Sequence, residues 1–169
     1  MRALLFACAT IGGLFVIADA PTPLFVFVVV SASFGLAPFV GNSLAWHVPV
    51  GVWSRFNLSP QTSRRLGIKC FNDMLTRIGW NKRVFEMRGD DSWNPWHMQS
   101  AALGHGWAFL LYIGAALWCS LNAAWFCCLI LMFLGVLLHL YPVLLQIYVL
   151  TQLRRGTVGT QNTAKRPTT

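Results

Sequence analysis

The sequence predicts an all-α membrane protein with four transmembrane helices and one amphipathic interfacial helix. Of the 169 residues, 56% are apolar and only 11% are charged, whereas a soluble domain carries about a quarter charged residues. Four apolar stretches have roughly the length that a hydrocarbon core of about 30 Å requires. The basic residues lie between these stretches and not within them. The length suits one membrane domain, placed at residues 1–155.

The four predicted spans are residues 3–18, 24–46, 101–119 and 123–150. A spanning helix needs about 17–25 apolar residues, so the first span is short and the fourth is long. The first stretch also has the pattern of a signal peptide, because Arg2 precedes an apolar run that ends in small residues. Pro21 is a poor residue to follow a cleavage site. We therefore predict a retained span and keep cleavage as the alternative.

The basic residues predict the orientation of the chain. All 13 fall at Arg2, within the loop at 55–88 or in the tail at 154–166. The short turns at 19–23 and 120–122 carry none. The positive-inside rule then predicts a multi-pass protein of the inner cell membrane with the loop and both termini in the cytoplasm.

The formal net charge of +8 raises the question of nucleic-acid binding. Anionic lipid accounts for such residues beside apolar spans, at about 1 kcal/mol per basic residue. The sequence carries no nucleic-acid-binding motif. We therefore predict the lipid bilayer, and no nucleic acid, as a partner.

An interfacial helix is predicted at about residues 60–78. Ser59 and Pro60 form a typical helix start, and Gly79 suits a helix end. Apolar residues recur at helical spacing between them, and basic residues fill the other face. This pattern is typical of a helix lying in the membrane interface, although a helix packed on the rest of the domain would share it. The tail at 156–169 is predicted to be a disordered cytoplasmic segment because it is rich in polar and basic residues.

Familiar catalytic and metal-binding motifs are missing from the sequence. The five cysteines show no metal-ligand spacing, and there is no nucleophile elbow, Walker loop or His-Glu-x-x-His. We therefore predict neither a metal nor a bound cofactor.

The histidines are the candidate catalytic residues, because ionisable side chains inside spans are costly and usually functional. His105 lies in the third predicted span and His139 in the fourth. Helix rise places each about 6 Å from the cytoplasmic boundary, on consecutive antiparallel helices. Gln146 follows His139 by seven residues and is expected to share its face. Pro142 is expected to loosen the helix between them.

These residues suggest a polar pocket near the cytoplasmic face. We predict His105 as a general base, with His139 or Gln146 polarising a carbonyl group. Tyr141 and Tyr148 are predicted to bind substrate through their hydroxyls. The alternative is that the histidines form interhelical hydrogen bonds that serve only assembly.

From about residue 44 to 155 the chain resembles the glycosyl-diaponeurosporenoate acyltransferases of bacterial carotenoid synthesis. These small membrane proteins place a fatty acyl chain on the sugar of a glycosylated carotenoid. The resemblance rests on four stretches: LAWHVP at 44–49, RIGWNKR at 77–83, AALGH at 101–105 and HLYPVLLQIY at 139–148. His105, Pro142, Gln146 and Tyr148 match the family, whereas Ala102, Ile147 and Val149 stand where the family has glutamate, arginine and asparagine.

The resemblance implies a membrane-bound acyltransferase that acts on a glycolipid or on a glycosylated isoprenoid or carotenoid at the cytoplasmic face. Lys82, Arg83 and the rest of the basic loop would bind an anionic acyl donor, such as an acyl thioester of coenzyme A, because cations favour phosphate. The donor would be a co-substrate.

The alternative function is a non-enzymatic accessory or structural subunit bound to a membrane protein partner. Ala102 and Ile147 favour this alternative, because they replace residues that the family carries. The two histidines at one depth and Gln146 favour the enzyme, which we place first.

Overall fold

The computed structural model describes residues 22–56, 58–88 and 94–164, and every regular element in them is helical. The helices are α1 (Thr22–Ala45), α2 (Val50–Arg55), α3 (Pro60–Arg65), α4 (Ile68–Arg77), α5 (Trp80–Arg88), α6 (Pro95–Leu121), α7 (Trp125–Gly135) and α8 (Tyr141–Ala164). A π-helical turn, Val136–Leu140, joins α7 to α8 without a break.

Three of the described segments are long and apolar enough to cross a membrane: Pro23–Ala45, Pro95–Leu121 and Trp125–Gln152. They correspond to the second, third and fourth predicted spans. The first predicted span, residues 3–18, lies outside the described residues. The all-α class and the membrane-type helices are therefore found, while the total of four spans stays a prediction.

The third span begins earlier than its apolar run. The prediction placed its start at residue 101, but α6 begins at Pro95. Asn94 caps the helix, because its side chain accepts a hydrogen bond from the backbone N–H of Trp96 at 3.0 Å. Proline at the first helical position adds no unsatisfied N–H group. These local groups extend the helix by about one and a half turns beyond the run on which the prediction relied.

Small residues let α1 and α6 approach closely. A Cβ atom on Gly104 would lie 3.0 Å from the carbonyl carbon of Ala37 and closer still to its oxygen. One on Gly41 would lie 2.9 Å from the backbone nitrogen of Gly104. Ser100 donates a hydrogen bond to the side chain of Asn42 across the same contact. Close backbone approach through small residues is a typical way for membrane helices to associate.

The helix α7 packs on the part of α6 that lies towards the turn between them. Gly135 allows this contact, because an added Cβ would lie 2.9 Å from the Cβ of Tyr112. Leu131 and Val29 are fully buried beside Tyr112. The two thiol sulfurs of Cys119 and Cys127 lie 2.8 Å apart near the turn that joins α6 to α7.

The predicted interfacial helix at 60–78 is two helices. Gly67 separates α3 from α4 and has a φ of +68°, a left-handed conformation that glycine adopts readily. The start was predicted correctly, since the Ser59 hydroxyl accepts a hydrogen bond from the backbone N–H of Thr62 at 3.0 Å. The prediction of one continuous helix over 60–78 was wrong, because the spacing of apolar residues does not report the left-handed backbone of Gly67.

The prediction of a disordered tail at 156–169 also differs from the structure, in which α8 continues to Ala164. Residues 165–169 lie outside the described residues. A helix already formed by packing extends at little cost, since each further residue adds a hydrogen bond for the dihedrals it orders. No proline occurs in this stretch before Pro167.

The loop helices pack along α8, both near its first residue and near Arg154. Arg154 donates a hydrogen bond of 2.6 Å to the backbone carbonyl of Trp53. The ring of Phe71 in α4 contacts the ring of Tyr141, with 5.1 Å between centroids. We call the end of the bundle that holds Trp53 and Arg154 the loop end. The basic loop and Arg154 thus share one end.

Candidate functional site

A buried pair of imidazole rings joins α6 to the π-helical turn. The Nδ1 atoms of His105 and His139 lie 3.1 Å apart, and the ring centroids lie 5.4 Å apart. His139 is fully buried, whereas His105 is partly accessible. The structure therefore brings together the two histidines that the sequence analysis selected.

Pro142 explains why the helix widens at His139. Proline has no N–H to donate to the carbonyl of Leu138, and its ring would clash with that carbonyl in a regular α-helix. The π-helical turn, Val136–Leu140, precedes it directly, and Tyr141 donates its backbone N–H to the carbonyl of Val136. Such π turns in α-helices are frequent at functional sites. The predicted loosening of the helix thus takes the form of one wide turn around His139.

The predicted depth of the pair below the cytoplasmic boundary stays a prediction, because it was counted from the ends of the apolar runs and not from the ends of the helices. His105 is ten residues into α6, about 15 Å from its start at 1.5 Å per residue. His139 lies close to the midpoint of the apolar segment Trp125–Gln152. The helix ends lie further from the histidines than the ends of the apolar runs do, because α6 starts before its apolar run and α8 extends past it. Both histidines remain level with each other, at mid-length of the bundle.

Two residues that the sequence analysis did not select complete the site. Ser33, at the middle of α1, lies 3.1 Å from Nε2 of His139 through its Oγ atom. Tyr112 packs its ring on His139 at 5.0 Å between centroids, and its hydroxyl lies 3.5 Å from Ser33 Oγ. Both side chains are fully buried. A serine four residues before Ala37 and eight before Gly41 continues the small-residue face of α1, which was the available signal.

Gln146 does not join the histidine pair. It is half-buried, and among the described residues none forms a hydrogen bond with its side chain. Tyr148 is likewise half-buried. The predicted roles of both residues stay predictions.

Tyr141 links the site to the basic loop. It is two residues from His139, its ring contacts Phe71 of α4, and its hydroxyl lies 3.7 Å from the Cβ position of Gly67. The loop helices therefore reach the level of the histidine pair along α8, although that level is far from the helix ends. This contact joins the loop helices to the segment that carries His139.

A groove of about 570 Å³ on α3 and α4 is lined by three of the cationic side chains of the loop. Its polar lining includes Arg64, Lys69, Arg77 and Asp73. Gly67, beside the Tyr141 hydroxyl, lines the same groove. Three cations against one carboxylate make the groove suitable for an anionic group.

Lys82 and Arg83 lie elsewhere on the loop. Both are exposed on α5, and Lys82 forms an ion pair with Glu86 at 3.8 Å with 81% of its side chain exposed. Neither lines the basic groove. Their predicted contact with substrate stays a prediction.

A second groove, of about 710 Å³, lies at the opposite end of the bundle from the loop, beside Pro23, Trp125 and Cys127. Neither this groove nor the basic one includes His105 or His139. Within the described ranges, no group of three or more histidine, cysteine, aspartate or glutamate side chains is placed to hold a metal ion.

Ala102 lies one turn before His105 in an apolar cluster. It is buried with Met98, Leu150 and Trp53, at the loop end. The indole Nε1 of Trp53 is buried and has no hydrogen-bond partner among the described residues. A carboxylate at position 102 would enter this cluster. The cluster in this chain is filled with apolar side chains.

Comparison with known proteins gives one family. Residues 51–156 match the family model described as glycosyl-4,4'-diaponeurosporenoate acyltransferase. The matched stretch contains both histidines, the loop helices and Pro142. No curated protein and no solved structure matches the chain.

Proposed function

We propose, because the chain belongs to the glycosyl-4,4'-diaponeurosporenoate acyltransferase family, that it transfers a fatty acyl group to the sugar of a glycosylated isoprenoid or another glycolipid. The observation that carries the proposal is the contact between His105 and His139 at 3.1 Å. It puts a partly accessible imidazole against a buried one, between helices long and apolar enough to cross a membrane. This arrangement supports general-base chemistry on a lipid-like acceptor.

In the proposed reaction His105 removes the proton of a sugar hydroxyl. The hydroxyl oxygen then attacks the thioester carbonyl of the donor, so that an O–C ester bond forms and the C–S bond breaks. The proton passes from the imidazole to the leaving thiolate. His139 holds the His105 ring through the contact between their Nδ1 atoms. Gln146 is the candidate for polarising the thioester carbonyl.

The donor that fits best is an acyl thioester of coenzyme A, used as a co-substrate. Its phosphates would bind the groove that holds Arg64, Lys69 and Arg77, because charge-assisted hydrogen bonds to phosphate are strong. Tyr141 lies between this groove and His139, so the thioester would extend past it toward His105. Lys82 and Arg83 would add positive potential at the loop surface, and Tyr148 would contact the acceptor.

The basic loop also supports a cytoplasmic orientation at the inner cell membrane. Arg154 lies beside the loop helices at the loop end, because it donates a hydrogen bond to the carbonyl of Trp53. The positive-inside rule assigns that end to the cytoplasm, where coenzyme A thioesters are made.

The experiment measures acyl transfer in membranes that contain the chain, with a labelled acyl coenzyme A and a glycosylated carotenoid. General-base catalysis is worth about 10²–10⁴-fold, so His105→Ala should reduce product formation by about a hundredfold or more at matched protein levels. His47→Ala is the control, because His47 is exposed and its ring bonds the backbone carbonyl of Ser43, away from the histidine pair. Full activity of His105→Ala would refute the proposed role.

Donor binding is tested separately. Arg77→Ala should raise KM for acyl coenzyme A with little change in kcat, because it removes binding that is equal in the ground and transition states. Arg65→Ala is the control, since that exposed arginine on α3 lies outside the groove. Equal effects of the two variants would argue against a phosphate site in the groove.

The second candidate function is an accessory subunit of a membrane complex. The apolar surroundings of Ala102 favour it, because the resembling family carries glutamate there. The same membrane assay separates the two candidates. A chain that makes no product alone, but raises the activity of a co-purifying membrane enzyme, would be a subunit.

A further inference from the structure

Ser33 makes three close polar contacts at the centre of the bundle. Its Oγ atom lies 2.7 Å from the carbonyl of Val30, 3.1 Å from Nε2 of His139 and 3.5 Å from the hydroxyl of Tyr112. The side chain is fully buried. A buried hydroxyl has one proton and two acceptor positions, so these contacts determine each other.

The carbonyl oxygen of Val30 can only accept a hydrogen bond. The Ser33 hydroxyl therefore donates to it, over the shortest of the three distances. Ser33 Oγ then accepts a hydrogen bond from His139. Nε2 of His139 is the donor in this arrangement, and the 3.5 Å contact with the Tyr112 hydroxyl is the longest of the three.

The same reasoning extends to the second histidine. A neutral imidazole has one N–H group, so His139 with its proton on Nε2 has a lone pair on Nδ1. His105 must then donate its own Nδ1–H across the 3.1 Å contact. This leaves the lone pair of His105 on Nε2, and no described residue forms a hydrogen bond with that atom.

We propose that Ser33 is a positioning residue that sets the tautomers of both histidines, with Tyr112 holding the His139 ring in place. The proposal rests on the proposed function, in which His105 is the base, and it assigns that role to the lone pair on Nε2. Without Ser33, His139 would be free to carry its proton on Nδ1 and donate it to His105. His105 would then hold its own proton on Nε2, and that atom would have no lone pair with which to take a proton from the substrate. Groups behind a catalytic imidazole commonly act in this way.

A serine that contacts an imidazole Nε2 is also the geometry of a nucleophile and its base. Two observations favour the positioning role. Ser33 is fully buried, whereas a nucleophile must meet the acyl group. Its proton is also committed to Val30 and not to His139. The nucleophile is therefore an outcome that the test must exclude.

The first measurement is the tautomer of each histidine by ¹⁵N NMR of the ¹⁵N-histidine-labelled chain in detergent, with His105→Gln and His139→Gln used for assignment. We expect His105 to carry its proton on Nδ1 in the natural chain, and Ser33→Ala to shift it toward Nε2. Ser33→Thr should restore the natural spectrum, since threonine keeps a hydroxyl that can bond a preceding carbonyl. Ser100→Ala is the matched control, because it removes a buried hydroxyl of the same bundle that bonds Asn42.

The second measurement is the rate of acyl transfer. Loss of one neutral hydrogen bond corresponds to a fall of about three- to tenfold in kcat, with KM unchanged, for Ser33→Ala and not for Ser33→Thr or Ser100→Ala. An acyl group found on Ser33 by mass spectrometry after addition of donor would overturn the positioning role. So would a natural chain whose His105 carries its proton on Nε2.

The two proposals fail in different ways. If the tautomers are as expected but the chain transfers no acyl group, the proposed function is wrong and the role of Ser33 stands. If the chain is active and Ser33→Ala leaves both tautomers unchanged, the role of Ser33 is wrong and the proposed function stands.

Discussion

Gly104→Ala tests the close contact between α1 and α6, which holds His105 against its neighbours. The added Cβ would lie 3.0 Å from the carbonyl carbon of Ala37, whereas carbon atoms pack best at about 3.5–4.0 Å. Because the obstructing atoms belong to backbone, no side chain can move aside. The helices must therefore separate by about 0.5–1 Å, which forfeits a quarter to a half of the dispersion energy at each affected contact.

The expected loss of stability is defined relative to a control variant on the same helix. Gly106→Ala adds the same methyl group, but nothing lies within 4 Å of its Cβ position. Both variants gain helix propensity of about 0.8–1 kcal/mol, so that term cancels in the comparison. Overpacking typically costs about 1–3 kcal/mol. We expect Gly104→Ala to be less stable than Gly106→Ala by that amount.

The assay is reversible unfolding of the purified chain in mixed micelles, followed by circular dichroism, with activity measured on the same samples. A displacement of 1 Å at a catalytic group can cost on the order of a hundredfold in rate, so Gly104→Ala should also lose most acyl transfer. Free energies of unfolding that agree within about 0.5 kcal/mol would refute the close contact, because that is the usual size of surface effects.

Three further predictions concern local features. Gly67→Ala should destabilise the chain by about 1–2 kcal/mol because of its left-handed backbone, and Gly67→Asn should cost less; unfolding measurements compare the two. Asn94→Ala should cost about 0.5–2 kcal/mol by removing the α6 cap, whereas Asn94→Asp should keep it; equal stability of the two would contradict the cap. Pro142→Ala should restore a regular helical turn and weaken the bond of His139 to Ser33, seen as a changed ¹⁵N signal of His139; an unchanged signal would exclude proline as the cause of the π turn.

The sequence predicted the long helices well because hydrophobic runs are a direct signal of spans. It also predicted that His105 and His139 lie level, since helix rise is constant. It failed at the start of α6, where Asn94 and Pro95 extend the helix by local hydrogen bonding and not by apolar content. Apolar length measures the membrane-buried part of a helix, and capping residues decide where the helix itself begins.

Other parts of the site depend on geometry that periodicity does not encode. The π-helical turn at His139 changes the number of residues in one turn, and the regular spacing used for Gln146 ignores it. Ser33 was not selected because a single serine in an apolar helix is common, and its contact with His139 depends on how α1 packs in the bundle. The break at Gly67 depends on one φ angle, which a pattern of apolar positions does not report.

The boundary of the family match has a consequence for comparative work on these proteins. The match begins at residue 51, so it contains both imidazoles but omits α1, which supplies Ser33 and the backbone against which Gly104 packs. Relatives recognised by that stretch alone need an equivalent helix from outside it to build the same centre. Co-expression of residues 1–50 with residues 51–169 as separate chains would show whether the two pieces assemble in the bilayer, as independently inserted helices can.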